Sequence, residues 1–159
     1  MIRTVVAGLA GGVALNLSML LTFRLLGFGW DGNGILLDPR IQNPKLIAVW
    51  TTLSPLPRIL EEPGWLAGLM LFGIGHALLY RALSPAWRGG RWSRSFRLGG
   101  WIFALTFLFW EFFTPFNLFG EPLPLIGLEL LFWGLTAFGE AAAIVSAYQP
   151  GIPWDREMS

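Results

Sequence analysis

The chain has no cysteine, which excludes disulfides, thiolate metal sites and a cysteine nucleophile. Histidine is nearly absent too: His76 is the only one, so a haem held by two histidines of one chain is excluded. Charge is scarce. Asp, Glu, Lys and Arg make up 13% of residues, whereas a soluble domain carries about a quarter. The net charge of +1 provides no basic field for nucleic acid. Lys45 is the sole lysine among eleven basic residues, an arginine bias of the kind GC-rich bacterial genomes produce. Soluble-enzyme signatures are also missing: there is no GxGxxG before a helix, no Walker loop, no HExxH and no GxSxG. Gly73-Ile74-Gly75-His76 resembles a glycine-rich nucleotide loop only superficially, since it lies inside an apolar run.

What abounds is apolar surface, at 54% of residues with nine Trp and thirteen Phe. It is gathered into four runs long enough for a hydrocarbon core of about 30 Å. The runs predict transmembrane helices over about 4–27, 64–83, 98–119 and 123–148. The first is uncharged from Thr4 to Phe23. It exceeds the apolar core of a signal peptide and no small-x-small cleavage site follows it, so it reads as a retained helix. The fold class expected is an all-α membrane protein of one domain, 1–159. Its four transmembrane helices form an antiparallel bundle, with short interfacial helices between the first and second.

Segment 28–63 reads as extracytoplasmic. Turn formers open it, and Asn43-Pro44 and Ser54-Pro55 look like caps of two short pieces that end near Glu61-Glu62-Pro63. Segment 84–97 reads as a cytoplasmic arginine loop. With it inside, seven basic residues lie there (Arg3, Arg81, Arg88, Arg91, Arg94, Arg97, Arg156) against four outside (Arg24, Arg40, Lys45, Arg58). The positive-inside rule then puts both termini in the cytoplasm of a bacterial inner membrane.

Helix contacts are expected at small residues. Gly8 and Gly12 share a stripe that Asn16 continues, and Ala7 and Gly11 form a second. On the second helix Gly68 and Gly75 share a face, while Gly73 and Ala77 form another close-packing pair.

The candidate polar site within the membrane is Arg24, His76, Glu111, Glu129 and Glu140. Ionisable residues at such depth are expensive and should face protein or water. The ten Leu, Ile, Phe and Val residues of the fourth helix between Leu125 and Val145 supply about −3 to −6 kcal/mol of insertion energy. Its two acids can cancel that, so they need partners. Depth suggests two layers: an outer one of Arg24, Glu111 and Glu129, near Thr114 and Asn117, and an inner one of His76 and Glu140. No metal or cofactor is expected, because the paired Glu-x-x-His motifs of carboxylate-bridged bundles are absent.

Several motifs together resemble small uncharacterised bacterial four-helix integral membrane proteins. They are the small-residue start (Ala7 to Gly12), Gly64-Trp65 with His76 and Tyr80, Arg88-Gly89-Gly90, and Leu128-Glu129 with Trp133-Gly134. The resemblance implies the architecture and no activity. Three functions fit. The favoured one is an accessory or scaffold subunit of a membrane assembly. The second is a small proton- or ion-coupled transporter or channel using intramembrane Glu and His. The third is a membrane enzyme acting on a lipid or quinone. The partners expected are the lipid bilayer and either another protein or further copies of the chain.

Overall fold

The structure, a computed structural model, describes residues 1–53, 63–149 and 151. The Ser54-Pro55 piece, Glu61, Glu62 and the tail from 152 lie outside the described residues. Among the described residues all regular structure is helical. Four helices are long and apolar enough to cross a membrane: α1 (Ile2–Gly27), α3 (Pro63–Ala86), α4 (Arg91–Leu118) and α5 (Leu123–Tyr148). A short α2 (Pro44–Ala48) lies between α1 and α3. Asn43 caps α2, its side chain accepting from the Lys45 amide at 2.9 Å with Pro44 in the first turn. Both features follow from the Asn-Pro pair.

The helices turn large apolar side chains outward and bury several acids within an otherwise apolar core. Leu71 is 70% and Phe109 66% exposed, whereas Glu111 and Glu140 are fully buried. That inversion suits a lipid surround and would be unstable in water.

Small residues decide the packing. α1 sits against both α3 and α5, α5 also packs on α4, and no substantial contact joins α3 to α4. The two stripes of α1 serve different neighbours. A Cβ at Gly12 would stand 2.8 Å from the Leu69 carbonyl oxygen of α3, and one at Gly11 would stand 2.5 Å from the Ile144 side chain of α5. Gly73 meets the backbone of Gly8 and Gly12, so here the helices touch main chain to main chain. Gly68 and Gly75 require correction. A Cβ on either meets nothing within 4 Å, and both are exposed. They share a face as expected, but Gly73 and Ala77 occupy the face that meets α1.

The third spanning helix begins earlier than hydropathy suggested. Gly89, at φ +103°, turns the chain, and α4 starts at Arg91. Part of the expected arginine loop is therefore helical. Arg94 explains how: its guanidinium donates to the carbonyls of Gly89, Ser84 and Trp87 and to Gln149 Oε1. It latches the 84–90 turn, a task beyond marking topology.

α4 is irregular. Wide π-helical turns at Phe103–Phe107 and Phe112–Leu118 flank the α-helical Leu108–Glu111. Pro115 lies in the second, where its ring removes an amide donor and the ladder widens. Gly120, at φ +67°, then ends the helix. The amides of Gly120 and Glu121 return to the carbonyls of Phe116 and Pro115, which folds Glu121 back under the helix end.

Candidate functional site

Two polar clusters lie at opposite ends of the helices. One is near the Met1 end, where Arg81 reaches Met1 and where Tyr80 and Arg94 meet Gln149. There His76 of α3 and Glu140 of α5 are brought together, Nδ1 to Oε1 at 2.7 Å. Glu140 is fully buried, the imidazole nearly so, and the Phe72 ring sits edge-on to His76 at 4.9 Å. The small face of α1 makes room, because Gly11 lies beside the Glu140 side chain.

The other cluster lies at the Gly120 end and differs from expectation. Carboxylate oxygens of Glu111, Glu121 and Glu129 lie within 4.8 Å of one another, and all three residues are buried. Glu111 comes from the α-helical turn between the two wide turns of α4, Glu129 from α5, and Glu121 from the turn joining them. Trp133 Nε1 donates to Glu111 Oε2 at 2.8 Å. Its ring is fixed between Phe23 of α1 and Phe107 of α4, each centroid 4.3 Å away. Gln42 Nε2 donates to Glu121 Oε1 at 2.5 Å and to the Leu36 carbonyl at 3.2 Å. Of the four remaining oxygens, Glu111 Oε1 and Glu121 Oε2 are buried without a hydrogen-bond partner among the described residues. Burial, and after it the nearby Glu111 carboxylate, pushes the Glu121 carboxyl up to about 7, against the lowering effect of the Gln42 amide.

Arg24 is not part of this cluster. Its guanidinium donates to the carbonyls of Gly29 and Trp30 at 2.5 and 2.6 Å and lies 5.1 Å from the Trp30 ring centroid. The chain reverses just after α1, at Gly29, and presents two carbonyls to the guanidinium. Both terminal nitrogens of the guanidinium fork are engaged there. Of the other expected neighbours, Thr114 lines the cavity described next, and Asn117 lies in a separate hollow on the outer face of α4.

The three carboxyls border a cavity of about 790 Å³. Its floor is Met19 and Phe23 of α1 with Trp133 of α5, and its sides are α3 and α4. Since α3 and α4 do not pack together, the cavity is a cleft whose rims, including Trp65, Phe72, Leu105 and Trp110, are exposed. It therefore opens sideways, onto the apolar surface. Apart from the acids its wall is almost entirely apolar. Neither His76 nor Glu140 lines it.

Sequence reasoning missed Glu121 and Gln42. Glu121 sits in Gly-Glu-Pro between two apolar runs, where an acid reads as an exposed loop residue. The only signal was the brevity of that turn, which holds its acid close to both helix ends. Gln42 left no signal. No known protein family, curated protein or solved structure matches the chain.

Proposed function

We propose that this chain is a multi-pass membrane protein that takes a lipophilic molecule from the bilayer into the cleft between α3 and α4. The observation that carries this is the cleft itself: about 790 Å³, apolar, open sideways and bordered by three buried acids at one end. Ligand sites are concave and largely apolar, with a few converging polar groups. A molecule arriving through the rims never has to cross water. A transporter would call for a polar path between the two clusters, and the cleft lining does not reach His76 or Glu140. An accessory or scaffold subunit is the second reading, favoured by the exposed aromatic stretch of α4 around Phe109, Trp110 and Phe113.

The reading includes an antiparallel four-helix bundle in a bacterial inner membrane, with the Met1 end cytoplasmic and the acid cluster toward the outside. The split of basic residues supports it. Reporter fusions in the 84–90 turn should score as cytoplasmic and fusions at Gly120 as external.

Gly68 gives the direct test. It lines the cleft, and a Cβ there meets nothing within 4 Å, so Gly68→Phe fills the cleft without disturbing a helix contact. Native mass spectrometry of the wild-type protein in mild detergent should show a retained lipophilic adduct. G68F should melt at the wild-type temperature and lose the adduct. Equal adducts on both proteins would sink the reading.

A further inference from the structure

We propose that the Glu111–Glu121–Glu129 cluster receives the primary ammonium head of an amphiphile whose apolar tail lies in the α3–α4 cleft. The inference rests on the cleft reading and adds the chemistry of the ligand's polar end.

Charge comes first. The cluster brings three carboxyls together, and no described basic side chain makes an ion pair with them. Arg24, the nearest candidate by sequence, is spent on carbonyls. Buried acids side by side need protons or a cation between them. Two oxygens of the cluster are held in place. Trp133 fixes one oxygen of Glu111 and Gln42 fixes one of Glu121. The other oxygen of each is buried and unpartnered, and both residues border the cleft.

The apolar cleft then favours an organic cation, and the spacing of the acids admits an ammonium. An ammonium has three N–H donors in tetrahedral directions. At charge-assisted N–O distances of about 2.8 Å, three acceptors around it stand about 4.6 Å apart. The carboxylate oxygens here lie within 4.8 Å of one another, an upper bound that admits this spacing. A hard divalent ion wants about six oxygens, and two of those on the three carboxyls already accept from Gln42 and Trp133. The neighbouring amide is poorly placed to help, since Gln42 Oε1 already accepts from the Asn43 amide, and the facing wall is aromatic. An ammonium carrying an apolar chain satisfies both halves of the site: three acceptors at one end and an apolar cleft for the rest. A quaternary ammonium has no N–H to offer, and an alcohol has no charge.

The test uses the full chain in phosphatidylcholine nanodiscs, titrated with octadecylamine, octadecanol and octadecyltrimethylammonium. Binding is read from tryptophan fluorescence, because Trp50, Trp65, Trp110 and Trp133 border the cleft. Octadecylamine should bind about tenfold or more tighter than either analogue, the range set by charge-assisted hydrogen bonds. Glu121→Gln and Glu129→Gln, measured side by side so that a folding failure in one leaves the other, should bring the amine down to the level of the alcohol. If all three amphiphiles bind wild type alike and G68F weakly, the cleft reading stands and the ammonium assignment falls. If none binds, or if G68F binds as well as wild type, the cleft reading fails and takes the assignment with it. A saturable response to magnesium or calcium chloride that octadecylamine does not compete away would also overturn the assignment.

Discussion

The two polar clusters place acids at similar cost and resolve that cost in opposite ways. At the Met1 end Glu140 has His76 as a partner, and a group able to donate or accept faces a carboxyl across 2.7 Å. At the Gly120 end Glu111, Glu121 and Glu129 face one another, with only Trp133 and Gln42 donating from the rim. The first cluster pairs one oxygen of its acid with His76 and leaves Glu140 Oε2 buried without a hydrogen-bond partner among the described residues. The second gathers three acids with two such oxygens, and it borders a cleft where the first borders packed helix. Several acids gathered beside an opening are the mark of a ligand site, whereas a single acid paired away from one does the work of packing.

Removing one member of each cluster sharpens the contrast most, because the signs should differ. Glu140→Leu strands the imidazole and should cost about 2–4 kcal/mol, less than a fully buried pair because His76 is partly exposed. Glu140→Gln keeps a hydrogen-bonding group and should cost about 1 kcal/mol. Glu129→Leu, by contrast, relieves a crowd of like groups and should leave ligand-free protein as stable or more so. Thermal melts in one detergent compare the three. A large loss for Glu129→Leu would mean that the outer cluster is as self-sufficient as the inner one.

A smaller effect is expected from Trp133→Phe. The ring stays between Phe23 and Phe107, but the donor to Glu111 Oε2 is gone, and about 1–3 kcal/mol should be lost. The loss should vanish when the change is made in Glu111→Gln, whose amide can rotate to suit; additive losses would mean that Trp133 acts through its ring alone.

The pH dependence of the two ends should differ as well. Glu121 has its folded-state carboxyl raised to about 7 from 4.5. The folded protein then binds more protons than the unfolded chain between those values. Its contribution to stability is fully present below about pH 4.5 and is lost as pH rises through about 7. Melting temperature should fall over that interval in wild type, and Glu121→Gln should flatten the slope. An unchanged slope in Glu121→Gln would assign it to other groups.

Arg24→Ala should have the least effect on the acid cluster. It removes bonds to the Gly29 and Trp30 carbonyls and a contact with the Trp30 ring at the surface, worth about 1 kcal/mol. Glu111→Gln or Glu129→Gln should not rescue it. Rescue by either would restore the outer ion pair that depth alone suggested.

Depth along a helix is legible in a sequence; azimuth between helices is not. His76 and Glu140 were matched by counting residues from one end, and they lie together because α3 and α5 happen to turn those faces toward each other. The same counting matched Arg24 with Glu111 and Glu129, and there the chain reversal at Gly29 offered backbone acceptors instead. Gly68 and Gly75 do share a face, but periodicity names faces without naming neighbours, and that face is exposed. The start of α4 was misjudged because hydropathy detects the hydrocarbon part of a helix and is blind to polar turns beyond it, where Arg94 works.

The sequence by itself determined the all-helical class, the four apolar lengths and the need to hide a few acids, since these depend on composition and on distance along the chain. It also determined the close approach at Gly8 and Gly12, where only absent side chains admit a neighbouring backbone. Tertiary structure alone decided that Glu121 joins Glu111 and Glu129, that Arg24 turns away, and that α3 and α4 stand apart to leave a cleft. These depend on how rigid helices are rotated about their axes and on how one glycine turn folds back. Such relations between distant segments are settled by packing against neighbours, which no local pattern encodes.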